Sequence, residues 1–255
     1  MNFQNILFET KGGIAELILN RPPLNILNIS MMREINSVFE KLNSQTELKL
    51  LVIKAAGKAF SAGVDVEEHT KEKVAEMIKT FHRMFLLLDD LEIPTLSVVQ
   101  GAALGGGCEL AGFADLVIAS QEAKFGQPEI KVGVFPPVAI ACFPNFGLGK
   151  KVFELILTGE TITAQEALQI GLVNKVYPAD KLETSANEFI EKIKNLSAVV
   201  IRLAKKSWKE SNKINFKEAL KKTEKIYLQE LMSTFDANEG LTAFLEKRVP
   251  LWKNK

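Results

Sequence analysis

The sequence has little of what marks disulfide-linked, metal-binding or membrane proteins. Two cysteines, Cys108 and Cys142, stand in glycine-rich or apolar surroundings without CxxC spacing, which argues against a disulfide or zinc site and favours a reducing, cytoplasmic compartment. Two histidines, His69 and His82, fall in or near one predicted helix with no third ligand evident, so no metal site is expected. No stretch approaches the roughly 18–20 apolar residues of a membrane span, and the first ten residues lack the pattern of a signal peptide.

The chain also lacks a surplus of either charge. Its 32 Lys and Arg residues balance 31 Asp and Glu residues, a net charge of +1, which gives no general attraction to nucleic acid or to an anionic membrane. Hydrophobic residues make up 47% of the 255 positions, enough for a large core in one domain or in a domain with an appendage. Neither nucleic acid nor a membrane is therefore an expected partner.

Apolar periodicity alternates between strand and helix spacing over the first two-thirds of the chain. The predicted strands are Ile14–Leu19, Leu50–Ile53 and Thr95–Val99, and the predicted helices are 30–43 and 72–91. The segment 115–120 fits either the tail of a helix or a further strand, and a strand is favoured. This alternation predicts an α/β fold built from repeated β-β-α units. Beyond residue 196 the chain is helical and rich in lysine, typical of a solvated helix face or of a surface that attracts a polyphosphate ligand.

Two glutamates are the strongest functional candidates. Glu109 ends the run 101–109, Gly-Ala-Ala-Leu-Gly-Gly-Gly-Cys-Glu, and Glu129 lies in the segment Phe-Gly-Gln-Pro-Glu-Ile of residues 125–130. Two carboxyl groups beside one substrate can serve as general acid and general base when burial separates their pKa values. The three glycines before Glu109 let a backbone approach a ligand and leave N–H groups free at a helix start, where they can stabilise an oxyanion.

Each feature taken alone also has a structural explanation. Glu109 could merely complement the positive end of a helix dipole, and Glu129 could sit in a surface turn. The glycine run could be a tight strand-to-helix turn. It is neither a P-loop nor a dinucleotide fingerprint, because the required spacing and following residues are absent. Only the combination favours a site that moves protons next to an oxyanion.

Several segments together resemble the crotonase superfamily, the enoyl-CoA hydratase/isomerase family. The resemblance covers nearly the whole chain and is carried by residues 20–22 (Asn-Arg-Pro), 58–65 (Lys-Ala-Phe-Ser-Ala-Gly-Val-Asp), 101–109, 125–129, 157–167, 171–174 and 244–248. It implies a β-β-α spiral core over residues 1–195 and a helical region over residues 196–255 that assembles trimers or dimers of trimers. It also implies an acyl-CoA thioester substrate, with coenzyme A entering as part of that substrate and no permanently bound cofactor.

The resemblance assigns roles to six residues. By motif position, the backbone N–H groups of Val64 and Gly106 form the oxyanion hole, Ala62 lies near the CoA adenine, and Lys247 lies near the CoA phosphates. Family hydratases carry glutamates at both positions 109 and 129, so the pair favours hydration. In the mechanism this implies, ionised Glu109 activates water and protonated Glu129 delivers a proton to the enolate carbon.

The sequence departs from the usual hydratase pattern at two places. Pro137 stands where a glycine is usual, and a proline has no N–H to offer the catalytic water. Glu67 or Glu68 stands where relatives often have a lysine, which puts part of the CoA contact in doubt. Residues 135–139, 64–70 and 236–240 resemble cyclic dienoyl-CoA hydratases of anaerobic aromatic degradation. A straight-chain 2-enoyl-CoA hydratase, an isomerase and a non-catalytic acyl-CoA-binding protein remain as alternatives.

Overall fold

The computed structural model describes residues 3–146, 149–212 and 214–255. The strands are β1 (Ile6–Lys11), β2 (Ile14–Leu19), β3 (Leu50–Ala55), β4 (Thr95–Val99), β5 (Ala102–Leu104), β6 (Leu116–Ser120), β7 (Lys124–Gly126), β8 (Thr161–Thr163) and β9 (Lys175–Tyr177). The helices are α1 (Ile29–Leu42), α2 (Val74–Asp89), α3 (Gly106–Phe113), α4 (Pro137–Cys142), α5 (Gly149–Thr158), α6 (Ala164–Gln169), α7 (Leu182–Lys194), α8 (Ala198–Ser211), α9 (Phe216–Lys225) and α10 (Phe235–Leu245). Short 3-10 turns span Val66–Glu68, Pro128–Val132, Phe143–Phe146 and Ala179–Lys181, and a π-helical turn spans Ile226–Leu231.

The larger sheet has the strand order β1-β2-β3-β4-β6-β9. Strands β1 and β2 pair antiparallel, and every later pair in this sheet is parallel. The parallel strands read as nearly continuous apolar runs because helices cover both of their faces. Strand β4, for example, is buried at all five positions. The smaller sheet has the order β5-β7-β8. The three glycines directly follow β5 and lead into α3.

Two apolar clusters hold helices against the faces of the larger sheet. On one face α1 and α2 bury residues such as Phe39, Met84 and Leu88 beside the strands. On the other face α7 places Leu182 and Ile190 against the apolar side chains of β3, β4 and β6. Fully burying one such side chain contributes about 1.5–3 kcal/mol. The α/β fold class predicted from the sequence is confirmed.

The predicted elements agree with the observed ones at all the principal positions. The three predicted strands are β2, β3 and β4, and the predicted helices are α1 and α2, each displaced by no more than two residues at either end. The uncertain segment 115–120 forms β6 over Leu116–Ser120, as favoured.

Two basic side chains of α8 form ion pairs with acidic residues next to the larger sheet, so they do not only face solvent. Arg202 pairs with Glu92 at 2.7 Å, and Lys205 pairs with Asp115 at 2.8 Å. Burial lowers the pKa of Lys205, and the neighbouring Asp115 carboxylate opposes that effect. These two cations therefore fit neither the solvated-face nor the polyphosphate interpretation, because they attach α8 to the ends of the sheet.

Candidate active site

The turn between β5 and α3 requires glycine for two separate reasons. Gly105 has φ +51°, a backbone conformation that residues with a side chain rarely adopt. A Cβ at Gly105 would lie 2.5 Å from Oε1 of Glu129, so the carboxyl group occupies the space that a side chain would fill. The N–H of Gly105 donates to the carbonyl oxygen of Gly126 at 2.9 Å. The pairing of β5 with β7 thus brings the glycine run against the segment that carries Glu129.

Glu109 lies in the first turn of α3 and is only 1% exposed. Its Oε1 accepts a 2.6 Å hydrogen bond from the backbone N–H of Ala139, in the first turn of α4. Pro137 is the first residue of α4, where its missing N–H costs no helical hydrogen bond and its fixed φ suits the helix. The start of α4 therefore presents free N–H groups to the carboxyl group of Glu109.

Glu129 reaches the same place from the 3-10 turn Pro128–Val132. Its Oε1 lies against Gly105, whereas its Oε2 is buried with no hydrogen-bond partner. Glu109 is tied to the same glycine, because its backbone N–H donates to the carbonyl oxygen of Gly105 at 2.9 Å. The structure thus brings the two glutamates predicted from the sequence together at one helix start.

Burial raises the pKa of both carboxyl groups. The pKa of Glu109 rises to about 8, mainly through desolvation and further through the nearby charge of Glu129, while backbone N–H groups of Ala139 and Val138 oppose the rise. Desolvation raises the pKa of Glu129 to about 7. Near neutral pH such a pair holds one proton, and it can therefore both accept and deliver a proton.

The two backbone amides predicted as an oxyanion hole are neighbours. Val64 forms a parallel bridge with Leu27 that uses the carbonyl oxygen of Gly63 and the N–H of Asp65, so the N–H of Val64 points away from Leu27. A Cβ at Gly106 would meet Cγ2 of Val64 at 2.7 Å. Gly106 is the first residue of α3, where an N–H has no acceptor within the helix.

The two predicted CoA contacts lie in different parts of the fold. The N–H of Ala62 donates to the carbonyl oxygen of Leu24 at 3.0 Å, which places Ala62 beside the loop after β2 and two residues from Val64. Lys247 is exposed, adopts φ +56° just after α10, and donates its N–H to Phe244. The hydrogen bonds and ion pairs of the described residues do not join Lys247 to either glutamate.

The second departure from the family pattern, at Glu67 or Glu68, also has a local structural role. Oε2 of Glu68 accepts the backbone N–H of Ile29 at 2.7 Å, at the first residue of α1. Asp65 caps the short turn Val66–Glu68 by accepting the N–H of Glu67. Glu68 therefore fastens the segment after Val64 to the start of α1, a role that its position in the sequence did not indicate.

Three contributors to this region were not identified from the sequence. Ala139 acts through its backbone, which no side-chain pattern reveals. Gln127 is 1% exposed with both polar side-chain atoms unpaired, and its position two residues before Glu129 was the available signal. His82 of α2 also has a buried Nε2 without a partner, and its sequence context raised only the question of a metal ligand.

A cavity of about 1000 Å³ lies elsewhere, between α8 and the end of the larger sheet. Its lining includes Phe113, Asp115, Lys205 and Trp208, and it includes neither glutamate. Across the described ranges, no group of three acidic, histidine or cysteine residues is arranged to hold a metal ion. The same part of the chain contains no helix with the length and apolar character needed to traverse a membrane.

Comparison with known proteins places this geometry in a family. The model of the enoyl-CoA hydratase/isomerase family matches residues 9–255. A probable enoyl-CoA hydratase of Mycobacterium bovis is 37% identical over 258 aligned positions, covering 100% of both chains. The cyclohexa-1,5-dienecarbonyl-CoA hydratase of Thauera aromatica is 35% identical over 251 positions, covering 98% of this chain and 96% of that protein.

Solved structures agree with the sequence relatives. The crystal structure of an enoyl-CoA hydratase from Bacillus anthracis has a TM-score of 0.92 at 30% identity, covering 99% of this chain and 100% of that chain. The enoyl-CoA hydratase of Mycobacterium smegmatis has a TM-score of 0.90 at 29% identity, covering 98% and 99%. The chain therefore belongs to the enoyl-CoA hydratase/isomerase family, as an enzyme of the hydro-lyase type.

Proposed function

We propose that this enzyme adds water across a double bond of an enoyl-CoA or dienoyl-CoA thioester. The observation that carries the proposal is the meeting of the buried carboxyl group of Glu109 and the half-buried one of Glu129, both with raised pKa values, at the start of α3 beside two backbone amides. Hydration needs one group to take a proton from water, one to give a proton to carbon, and donors for the thioester oxygen. Glu109, Glu129, Val64 and Gly106 supply these functions.

The proposed reaction begins with the thioester carbonyl between the N–H groups of Val64 and Gly106. Ionised Glu109 removes a proton from water as the water oxygen bonds to the remote alkene carbon, and the electron pair of the double bond moves toward the thioester to form an enolate. Protonated Glu129 then delivers its proton to the enolate carbon. The pair ends with the proton on Glu109 in place of Glu129, and proton exchange with solvent or between the two groups restores the starting state.

Two observations bear on which glutamate holds the proton, and they point in opposite directions. Of the two raised pKa values that of Glu109 is the higher, which favours a protonated Glu109 in the free site. The carboxylate of Glu109, however, takes a backbone hydrogen bond, whereas Oε2 of Glu129 is buried without a donor. A carboxyl group that has one oxygen buried without a donor is less costly when it is neutral. The hydrogen bonding favours an ionised Glu109 and a neutral Glu129, so Glu109 is the proposed base and Glu129 the proposed acid.

For the acyl group, we propose a cyclic diene, cyclohexa-1,5-diene-1-carbonyl-CoA, as processed in anaerobic degradation of aromatic compounds. Two things support it: the segment around Pro137 resembles that subfamily and contacts Glu109 through Ala139, and a similar protein in Thauera aromatica is a hydratase named for this compound. The likeness over residues 236–240 carries less weight, because Asp236 and Glu239 hold the C-terminal residues in place. A short-chain-enoyl-CoA hydratase of Clostridium acetobutylicum is equally similar, at 35% identity, so a straight-chain substrate is the alternative.

The deciding experiment measures water addition to the cyclic dienoyl-CoA and to crotonyl-CoA side by side, by mass and by loss of the conjugated thioester absorbance. A higher kcat/KM on the cyclic diene supports the proposed substrate. A high rate on crotonyl-CoA with none on the cyclic diene would replace it by the straight-chain alternative. Turnover of neither compound would favour an isomerase or a protein that only binds acyl-CoA. An unchanged rate in the Glu109→Gln, Glu129→Gln double variant with intact CoA binding would favour the binding protein.

We further propose that Ala62 and Lys247 contact coenzyme A and that the helices after residue 195 assemble a homotrimer or homohexamer. Exposed apolar side chains in this region support the assembly; they include Trp208, Phe216, Tyr227, Leu228, Phe244, Leu245 and Val249. Surfaces of this kind commonly mark protein interfaces. Light scattering at micromolar concentration tests the assembly, and a monomer would refute it. The buried free thiols of Cys108 and Cys142 suit the proposed cytoplasmic, reducing compartment.

A further inference from the structure

We propose that Ser61 is a positioning residue for the oxyanion hole, because it joins the two segments that carry the proposed donors, the N–H groups of Val64 and Gly106. The inference rests on the thioester site proposed above, but it does not depend on which acyl group that site takes. Ser61 is fully buried, although serine is mostly found at the surface of proteins. Buried polar side chains are mostly hydrogen-bonded, so the partners of Ser61 indicate what it does.

The hydroxyl group of Ser61 holds the segment that leads to Val64. Its Oγ accepts the backbone N–H of Gly63 at 3.2 Å, a local bond that serine hydroxyls commonly form with the chain two residues on. The carbonyl oxygen of Gly63 in turn accepts the N–H of Leu27 at 2.9 Å. Both polar backbone groups of Gly63 are thus fixed, and Gly63 directly precedes the first proposed donor.

The backbone of Ser61 is paired with β5, the strand that leads to the second donor. The N–H of Ser61 donates to the carbonyl oxygen of Ala102 at 3.0 Å, and its carbonyl oxygen accepts the N–H of Leu104 at 2.9 Å. Leu104 is the last residue of β5, two positions before Gly106. One residue therefore links the segment of Val64 to the strand that ends just before Gly106.

The side chain of Ser61 also lies against the first turn of α3. A Cβ at Gly107 would lie 2.6 Å from Cβ and 2.8 Å from Oγ of Ser61, closer than real Cβ atoms approach their neighbours. A Cβ at Gly63 would lie 3.0 Å from the carbonyl oxygen of Leu104 and 3.6 Å from the backbone nitrogen of Gly106. The third glycine of the run therefore makes room for Ser61, and the two donor segments pack directly against each other beside it.

Loss of the hydroxyl group should act on the transition state more than on binding. Without Oγ, the buried N–H of Gly63 has no partner, and the chain before Val64 is free to shift relative to α3. Oxyanion donors are effective only at about 2.7–3.1 Å from the developing charge. That charge is greatest in the transition state, so displaced donors lower kcat more than they lower the affinity for a thioester.

Ser61→Ala tests this, because it removes the hydroxyl group and keeps both backbone bonds to β5. We expect kcat on the preferred thioester to fall about 10-fold, less than the 10²–10³-fold of a donor removed outright. The affinity for hexanoyl-CoA, a saturated and unreactive thioester, should change by less than about 3-fold. Difference infrared spectroscopy with hexanoyl-CoA that carries ¹³C at the thioester carbon reads the polarisation of the bound carbonyl group. Binding to the wild type should lower the carbonyl stretching frequency, and Ser61→Ala should reverse part of that lowering.

Ser120→Ala is the matched control. Ser120 is 1% exposed, and its Oγ accepts the N–H of Glu122, two residues on, at the same 3.2 Å, but it lies at the end of β6. Its loss should lower the melting temperature about as much as Ser61→Ala does, and it should leave kcat and the carbonyl frequency unchanged. Ser61→Cys keeps a weak acceptor and should give intermediate values. It also supplies the second test if Ser61→Ala does not fold.

Each outcome decides the question. A smaller carbonyl shift together with a lower kcat in Ser61→Ala, with wild-type values in Ser120→Ala, supports the inference. A wild-type carbonyl frequency in Ser61→Ala, or equal losses in Ser120→Ala, overturns it and leaves the proposed hydratase activity standing. If hexanoyl-CoA binds to the wild type without any lowering of the frequency, the proposed oxyanion hole is refuted, and the role of Ser61 with it. Failure of hexanoyl-CoA to bind would overturn the proposed CoA-thioester site itself.

Discussion

The backbone N–H of Ala139 donates a 2.6 Å hydrogen bond to Oε1 of Glu109. These residues are 30 positions apart, and the bond joins the start of α4 to the first turn of α3. The segment in which this chain departs from the usual hydratase pattern is therefore in direct contact with the proposed general base. Pro137 fixes the backbone at the first residue of α4, two positions before that donor.

The carboxyl groups of Glu109 and Glu129 should each be needed for turnover. Glu109→Gln and Glu129→Gln should each lower kcat by about 10²–10⁴-fold, because each removes one proton transfer while preserving the shape of the side chain. Since both act in one reaction, the double variant should cost much less than the product of the single effects. Steady-state kinetics on the preferred thioester measures this. Fully multiplicative losses would show that the two groups do not act as a pair.

The rate should depend on pH in a bell shape. The reaction needs one protonated and one ionised carboxyl group, and the raised pKa values of about 7 and about 8 make that state most populated between them. Below this range both groups are protonated and no base remains, whereas above it both are ionised and no acid remains. A profile of kcat/KM from acid to alkaline pH measures the two limbs. A flat profile through neutrality would contradict the assignment of these groups.

The same burial should make the fold less stable as pH rises. Unfolding returns both carboxyl groups to their ordinary pKa of 4.5, so between that pH and the raised folded values the native state binds more protons than the unfolded state. The free energy of unfolding therefore falls with rising pH over this window and levels off above about 8. Glu109→Gln and Glu129→Gln should flatten this dependence and have higher melting temperatures than wild type at pH 8.5. Thermal unfolding across the window, with Glu122→Gln at an exposed site as control, tests it.

A methyl group at Gly106 should damage catalysis by displacing the proposed oxyanion donors. The Cβ of Gly106→Ala would meet Cγ2 of Val64 at 2.7 Å and the ring of Phe81 at 3.0 Å, so these neighbours must move apart. Loss of one oxyanion donor costs about 10²–10³-fold in kcat. Gly240→Ala is the comparison, because its Cβ would crowd only Trp252 near the C-terminus. An equal fall in kcat for both variants would remove the proposed role of Gly106.

Asp236 should be essential for holding the last residues of the chain. It is fully buried, accepts a 2.5 Å hydrogen bond from Oγ of Ser197, and takes the backbone N–H groups of Lys253 and Asn254. Asp236→Ala would leave these donors unpaired. Each one that is buried should lower the free energy of unfolding by about 1–3 kcal/mol. We expect a lower melting temperature and faster proteolytic removal of the C-terminal residues. Asp180→Ala, at an exposed position, should change neither.

Local patterns were sufficient for the main strands and for helices α1 and α2, because their periods of 2 and 3.6 residues are written in consecutive positions. They were insufficient for β5, β7 and β8, which have three residues each and exist only through pairing with one another. Strand β1 was also overlooked. It is an edge strand with Leu7 half exposed, so its apolar alternation is weak.

The sequence by itself determined the chemistry available to this protein: two glutamates, a glycine run between a strand and a helix, and a balanced charge. Only the tertiary structure decided that the two carboxyl groups meet, because the pairing of β5 with β7 brings Glu129 against Gly105. It also decided that Ala139 serves Glu109 and that Glu68 serves α1. The physical reason is that burial, the resulting pKa values and long-range hydrogen bonds depend on which distant segments pack together. The local pattern of neighbouring residues does not specify that packing.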